Sequence, residues 1–236
     1  MWCVIIPTYN NAGTIRQVVA DVQRYARDII VVDDGCTDGT DALLADMTVT
    51  VVSYGRNRGK GYALKAGFQK AREMNFDYAL TIDADGQHFA DDIPAFVEAM
   101  NEHPDSLIVG SRNLAVEGMP AQNTFANKFS NFWFRIQTGI NLPDTQTGYR
   151  LYPLRKMRHL WWMTSRYEAE LEMLVYAAWT GIKLLPIPIK VYYPPKELRV
   201  SHFRPVYDFA RISLLNTVLC LLAVVYGLPS KLIRSI

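Results

Sequence analysis

The chain has 236 residues, half of them hydrophobic, and a formal net charge of +2. That length can bury one substantial core, and no Pro-, Gly- or Ser-rich linker divides it, so one domain plus a tail is expected. The charge is too small to call for a nucleic-acid partner, and no basic run with interleaved aromatics supplies one. Cys3, Cys36 and Cys220 are far apart and lack His or Cys neighbours at metal spacing, which fits a reducing compartment and no zinc site. The N-terminus enters an apolar run at once, with no sign of a secretory leader.

In chain order, residues 2–7 read as a strand that breaks at Pro7 into the polar turn of VIIPTYNNAGTI, residues 4–15. A helix is predicted over 14–26, where Ile15, Val18, Val19 and Val22 fall at helical spacing. Strands follow near 28–33, 48–54, 77–84 and 106–111, alternating with helices near 39–46, 60–74 and 91–102. Apolar strands that end in polar loops and lead into helices describe an open, mostly parallel α/β sheet, Rossmann-like, with ligands beyond the carboxyl ends of the strands. No internal repeat is visible.

The strand ends carry the chemistry. In TIDADGQH, residues 81–88, Asp83 and Asp85 lie two apart, so on a strand they share a side and can jointly hold a hard divalent cation. The plain alternative is a polar turn. Asp33 and Asp34 are adjacent, face opposite ways in extended chain and cannot both meet one ligand, so one is structural. In NRGKGYALKAG, residues 57–67, Gly59 and Gly61 flank Lys60, a pattern that brings backbone and an ammonium to phosphates, or else simply starts a helix with a solvated lysine. Arg112 ends the strand before it in GSR, residues 110–112, where a guanidinium can grip a phosphate in bidentate fashion.

Taken together, PTYN, VVDDGCTDGT, NRGKGYALKAG, TIDADGQH, GSR and, further on, DTQTGYR at 144–150 resemble the family 2 glycosyltransferases of GT-A fold. Within them the likeness is to the polyprenyl-phosphate glycosyltransferases typified by dolichyl-phosphate mannose synthase, and it fades after about residue 205. The resemblance implies a nucleotide-sugar site of Pro7, Tyr9, Asn10, Asp33, Asp34, Lys60 and Asp83, with Mg or Mn held by Asp83, Asp85 and Gln87. It implies catalytic roles for Asp85, Arg112 and Asp144, and an acceptor-phosphate cluster of Arg112, Arg199, Ser201, His202 and Arg204. Thr37 or Asp38 would cap the next helix, as would His88. Three departures stand out. Cys36 replaces the family's Ser, Asn10-Asn11 its Asn-Glu, and RVSHFRP at 199–205 its Arg followed by a Gly-Ser-Lys type element.

The second half supplies four acids as possible general bases: Asp144 and, on a predicted helix in YEAELEM at 167–173, Glu168, Glu170 and Glu172. Glu168 and Glu172 share a face, which alone would read as solvated, while Glu170 points elsewhere. An acceptor phosphate, with a second pKa of about 6, attacks already ionised and needs no base, whereas a sugar hydroxyl needs one. Beyond Arg211, residues 212–228 would span about 26 Å as a helix, short of the roughly 30 Å hydrocarbon core. Ser213, Asn216, Thr217, Cys220 and Gly227 form a small or polar stripe opposite a Leu/Val face, and Arg204, Arg211, Lys231 and Arg234 flank the segment. An in-plane or re-entrant anchor at the cytoplasmic membrane face fits this pattern. Phe125, Phe129, Phe132, Trp133 and Ile136 share a helical face that is either a second membrane contact or core.

The expectation is therefore a GT-A catalytic domain over 1–205 and a membrane-associated helical tail over 206–236. The enzyme would move a sugar from a UDP- or GDP-sugar to a polyprenyl phosphate with inversion. A hydroxyl acceptor, or a non-catalytic nucleotide-sugar-binding protein, are the alternatives.

Overall fold

The computed structural model describes residues 1–112, 121–158, 162–193, 205–227 and 229–230. Seven strands form one sheet: β1 (Trp2–Thr8), β2 (Ile29–Asp33), β3 (Thr50–Ser53), β4 (Tyr78–Thr81), β5 (Leu107–Arg112), β6 (Arg150–Pro153) and β7 (Leu184–Ile189), in the order β3-β2-β1-β4-β6-β5-β7. All neighbours pair in parallel except β6, which runs antiparallel between β4 and β5. The sheet is thus mostly parallel, as the alternation of strands and helices requires.

Successive residues of each central strand feed two separate cores, which is why these strands read as unbroken apolar runs. Cys3, Ile5, Ile30, Val32 and Ala79 face one core. It is closed by α2 (Lys60–Glu73), α4 (Ala121–Thr138), α5 (Glu168–Trp179) and α6 (Pro205–Leu222). Val4, Ile6, Ile29, Val31 and Leu80 face the other, under α1 (Ile15–Gln23) and α3 (Ile93–Glu102).

Three expected elements change. The strand does not break at Pro7, which pairs in register with Val32 inside β1. Thr8 O accepts from Asp34 N on the β2 side and Ile5 O accepts from Ile82 N on the β4 side, so Pro7 faces the side where β4 has already ended at Thr81 and no partner needs its missing N–H. The helix predicted over 39–46 is only the 3-10 turn Ala42–Leu44. The strand predicted over 77–84 stops at Thr81, leaving Asp83 and Asp85 in the loop beyond it.

On α4 and α6 the usual amphipathic order is reversed. Helix α4 turns Asn127, Ser130, Gln137 and Thr138 inward and leaves Phe132 and Ile136 exposed. In α6 and the π-helical turn Ala223–Gly227 that follows, Leu215, Asn216, Leu219 and Ala223 pack inward, while Leu214, Leu221, Val224 and Val225 are between 66% and 77% exposed. The two helices touch: Gln137 Nε2 donates to Asn216 Oδ1 at 2.8 Å, and the Phe129 and Phe209 rings lie 5.6 Å apart.

Candidate active site

Three loops meet beyond the carboxyl ends of β1, β2 and β4, and each is pinned by its own polar side chains. Asp34 accepts from Arg58 N at 2.7 Å, Gly59 N at 2.8 Å and Asn57 Nδ2 at 3.0 Å, so it clasps the loop that starts α2. Burial raises its pKa against the pull of those N–H donors. Asp33 accepts from Cys36 N at 2.7 Å and Ser53 Oγ at 3.0 Å. Both acids of the pair therefore hold protein, which goes further than the expectation that one is structural. Asn10 adopts a left-handed backbone (φ 52) and accepts on Oδ1 from Thr37 N at 2.8 Å. Asn11 Oδ1 accepts from Tyr9 N at 3.2 Å, which shapes the PTYN turn. Asp38 caps no helix, but accepts from Thr40 N and Ala12 N, tying the first two loops together. Burial lifts the Cys36 thiol to about 12, so it is an unreactive filler where Ser was expected.

The Gly59-Lys60-Gly61 element is a helix start, with Lys60 as the first residue of α2. Its glycines make room for protein: a Cβ on Gly61 would collide with the Ala169 Cβ, and one on Gly59 (φ 97) would lie 2.6 Å from Ser165 O. The close approach expected of phosphates is taken by the start of α5. Lys60 is not solvated either. Its ammonium lies 2.7 Å from Asp83 Oδ1 and 3.1 Å from Glu170 Oε2, with only 16% of the side chain exposed. Burial alone would lower its pKa, and the two carboxylates more than reverse this. Gly148 in DTQTGYR closes over the pair, since a Cβ there would sit 2.6 Å from Lys60 Nζ and 2.6 Å from Asp83 Oδ2.

Asp83 and Asp85 are brought together by a turn, not by the pleat of a strand. Gly86 takes φ 74, and Asp85 Oδ1 accepts from Gln87 N at 3.0 Å. Burial and the charge of Asp83 push Asp85 up to about 6, while at Asp83 the effect of burial is exceeded by Lys60 together with His88 and Arg150, which hold it below the usual carboxylate range. Gln87 spends its backbone on this turn and on accepting from Tyr192 N at 2.8 Å. His88 does not cap a helix. It bridges to Val191 and packs against Tyr149 with ring centroids 5.2 Å apart, its buried Nδ1 has no protein partner, and burial lowers its pKa to about 4.

At the end of β5, Arg112 meets Asp144. Its Nε donates to Oδ2 at 2.6 Å and its Nη2 to Oδ1 at 3.0 Å, so the fork expected to grip a phosphate grips this carboxylate. Asp144 is fully buried and also accepts from Asn127 Nδ2 at 2.6 Å and Gln146 N at 3.0 Å. Arg112 outweighs the effect of burial and lowers the Asp144 pKa. Glu168 and Glu172, general-base candidates whose plain alternative was a solvated face, are buried. Glu168 pairs with Arg211 of α6, and Glu172 accepts from Met163 N at 2.8 Å, Thr164 N at 2.9 Å and Thr164 Oγ1 at 2.5 Å. Arg199, Ser201, His202 and Arg204 lie outside the described residues, as do Lys231 and Arg234.

Sequence reasoning missed the meeting of Glu170 with Lys60, the buried Arg150 whose Nη1 donates to Glu170 O at 2.7 Å, and Asn127 on Asp144. Only Gly148 left a readable trace, as the glycine of DTQTGYR.

Among the described residues no three His, Cys, Asp or Glu side chains group as a metal cage. Asp83 and Asp85 still suit a hard cation: two adjoining carboxylates, one of them raised by the other's charge, gain from a cation whose remaining ligands are diphosphate oxygens.

The family model for glycosyl transferase family 2 matches residues 3–161. UDP-N-acetylglucosamine--dolichyl-phosphate N-acetylglucosaminyltransferase of Methanococcus voltae is 30% identical over 213 residues, covering 80% of this chain and 85% of that protein. Undecaprenyl-phosphate mannosyltransferase of Micrococcus luteus is 31% identical over 203 residues, covering 78% and 81%. Among solved structures, glucosyl-3-phosphoglycerate synthase from Mycobacterium tuberculosis, in complex with Mn2+, UDP and glucosyl-3-phosphoglycerate, superposes with a TM-score of 0.69 at 18% identity, covering 94% of this chain and 79% of that one.

Proposed function

The chain belongs to glycosyl transferase family 2, and we propose that it transfers a sugar, with inversion, from a nucleotide diphosphate donor to a polyprenyl phosphate at the cytoplasmic membrane face. Its similarity to two transferases named for dolichyl and undecaprenyl phosphate supports the acceptor class. The observation that carries the reading is that, among the described residues, each of the four acids weighed as a general base in the acceptor half is committed to protein. Asp144 holds Arg112, Glu168 holds Arg211, Glu170 holds Lys60 and Glu172 holds the 163–164 backbone. His88, lowered to about 4, is a poor base at neutral pH. A site whose described residues leave no base free suits an acceptor that arrives ionised, as a lipid phosphate does, and not a hydroxyl.

The residues then divide the work. Asp83 and Asp85, with Gln87 beside them, would hold Mg or Mn, and that cation supplies charge neutralisation at the departing diphosphate. Lys60, whose ammonium lies 2.7 Å from Asp83 Oδ1, would lend its charge to the same negative charge as it develops. Pro7, Tyr9 and Asn10 line the nucleotide side, with Asp33 and Asp34 setting the loops that form it. Asp144 positions Arg112, whose charge would serve the acceptor phosphate, and the family resemblance adds Arg199, Ser201, His202 and Arg204, which lie outside the described residues, as further candidates for that role. The apolar outer faces of α4 and α6 support docking on a lipid surface, with residues 206–236 as the membrane-associated part of a chain whose catalytic domain is 1–205. Among the described residues one helix, Tyr207–Gly227, is long and apolar enough to cross a membrane, and basic residues in sequence at both of its ends favour an in-plane seat.

The test is to incubate the purified full chain and Mg or Mn with radiolabelled UDP- and GDP-sugars and a polyprenyl phosphate, then separate the lipid products. A labelled lipid phosphate with one donor is expected. Label that moves only to a hydroxyl acceptor would overturn the reading.

A further inference from the structure

Lys60 stands against one of the two carboxylates suited to a divalent cation. Its ammonium is 2.7 Å from Asp83 Oδ1, so one of the two carboxylates suited to a divalent ion already carries a positive charge. The contact is built into the fold. Lys60 is fixed at the first position of α2, and Gly59 and Gly61 let α5 approach closely enough to bring Glu170 Oε2 to 3.1 Å. Arg150, itself buried, ties the Glu170 carbonyl at 2.7 Å, and Gly148 leaves just enough space above the pair.

A divalent ion entering alone would be repelled by that ammonium across a poorly screened distance, and it would find too few protein ligands among the described residues to fill its shell. A nucleoside diphosphate changes both terms. Its oxygens complete the shell, and its negative charge offers Lys60 a better partner than Asp83. Glu170 would keep hold of the ammonium as it turns, which spares it from standing unpaired in a buried site.

Resting on the donor reading above, we infer that Lys60 is the resident counter-ion of Asp83 and Glu170 its pivot, so that the site takes a divalent cation weakly alone and tightly only together with a nucleoside diphosphate. Glu170 is on this account a positioning residue.

The experiment titrates Mn2+ into the purified full chain and reads free Mn2+ by electron paramagnetic resonance, alone and with UDP or GDP, after correction for Mn2+ held by free nucleotide. Wild type should bind Mn2+ at least tenfold more tightly with the preferred nucleotide. Lys60→Met should tighten binding of Mn2+ alone at least tenfold and remove most of the nucleotide effect, a gain that a merely structural role would not produce. Lys60→Met combined with Glu170→Gln removes both charges of the pair and should behave alike, which covers the case in which the single variant does not fold. Wild-type affinity for Mn2+ alone in the folded variants, or equal affinity with and without nucleotide in wild type, would overturn the inference. If wild type bound neither Mn2+ nor nucleotide, the transferase reading would fall and the inference with it.

Discussion

At the scale of single residues, the proposed function divides the acids of this chain into those that would face a ligand and those that hold protein. Asp85 belongs to the first group on that reading. Asp85→Asn should abolish transfer while leaving the thermal melt unchanged, because a neutral amide is a weaker ligand for a hard cation; wild-type turnover in that variant without added metal would remove Asp85 from the site. Glu172 belongs to the second. Glu172→Gln places an amide N–H among donors that now meet a carboxylate, which should cost about 1–3 kcal/mol of stability in denaturant titrations. Its chemical step should stay within about tenfold of wild type, as should that of Glu168→Gln and Glu170→Gln once donor and cation saturate. A single-turnover loss of about a thousandfold in one of them, with donor binding intact, would identify a general base.

Asp144 adds a pH signature. Its folded pKa lies below the ordinary value of 3.8, so its ionised form stabilises the fold above about pH 4, and this stabilisation is lost as pH falls through the lowered folded pKa. Asp144→Asn should be less stable than wild type at pH 7 and should lose less on acidification to pH 3. Equal slopes in pH-dependent melts would assign the acid limb to other groups.

At the scale of elements, what was legible depended on how plainly burial writes itself in the sequence. β1 and β2 are buried on both faces and announced themselves as Val/Ile runs, while β4, Tyr-Ala-Leu-Thr, was legible as the apolar stretch that leads through Ile82 to the acids. β6 did not, because its four residues open with Arg150, which is buried through hydrogen bonds to Glu170 O and Thr145 O and not through apolarity. β7 was hidden by Pro186 and Pro188, tolerable because β7 is an edge strand. The glycines of the GKG element were legible as a close approach, but not as an approach of α5. On α6 the periodicity was legible, whereas its sense was not: Asn216 and Gly227 of the polar stripe turn inward while Thr217 does not. Deleting 206–236 would also strip Leu215, Leu219 and Ala223 from the core, so point substitutions test the membrane face more cleanly. Leu221→Glu with Val225→Glu changes exposed positions only and should leave the fold within about 0.5 kcal/mol per site. It should also release the protein from anionic lipid vesicles in co-sedimentation. Undiminished binding would place the contact elsewhere, with Phe132 and Ile136 of α4 next.

At the scale of the whole molecule, the sheet brings the motifs of the first half of the chain, proposed for the donor, to those of the second, proposed for the acceptor, by inserting the antiparallel β6 between β4 and β5. That insertion sets Gly148 over Asp83 and Lys60, and sets Asp144 against Arg112, so the two halves share one site although their motifs are far apart in sequence. The order of motifs made the family legible, whereas the ion pairs that fill the site were not, because a carboxylate's partner across the fold leaves no mark beside it in the chain. The central claim is that the acceptor's nucleophile is a phosphate. It is tested most directly by offering the protein, with its preferred labelled donor and Mn2+, a polyprenyl phosphate and the polyprenol of identical chain length in parallel. The account predicts label in a lipid phosphate product with the first and none above background with the second. Equal or faster transfer to the polyprenol would contradict it.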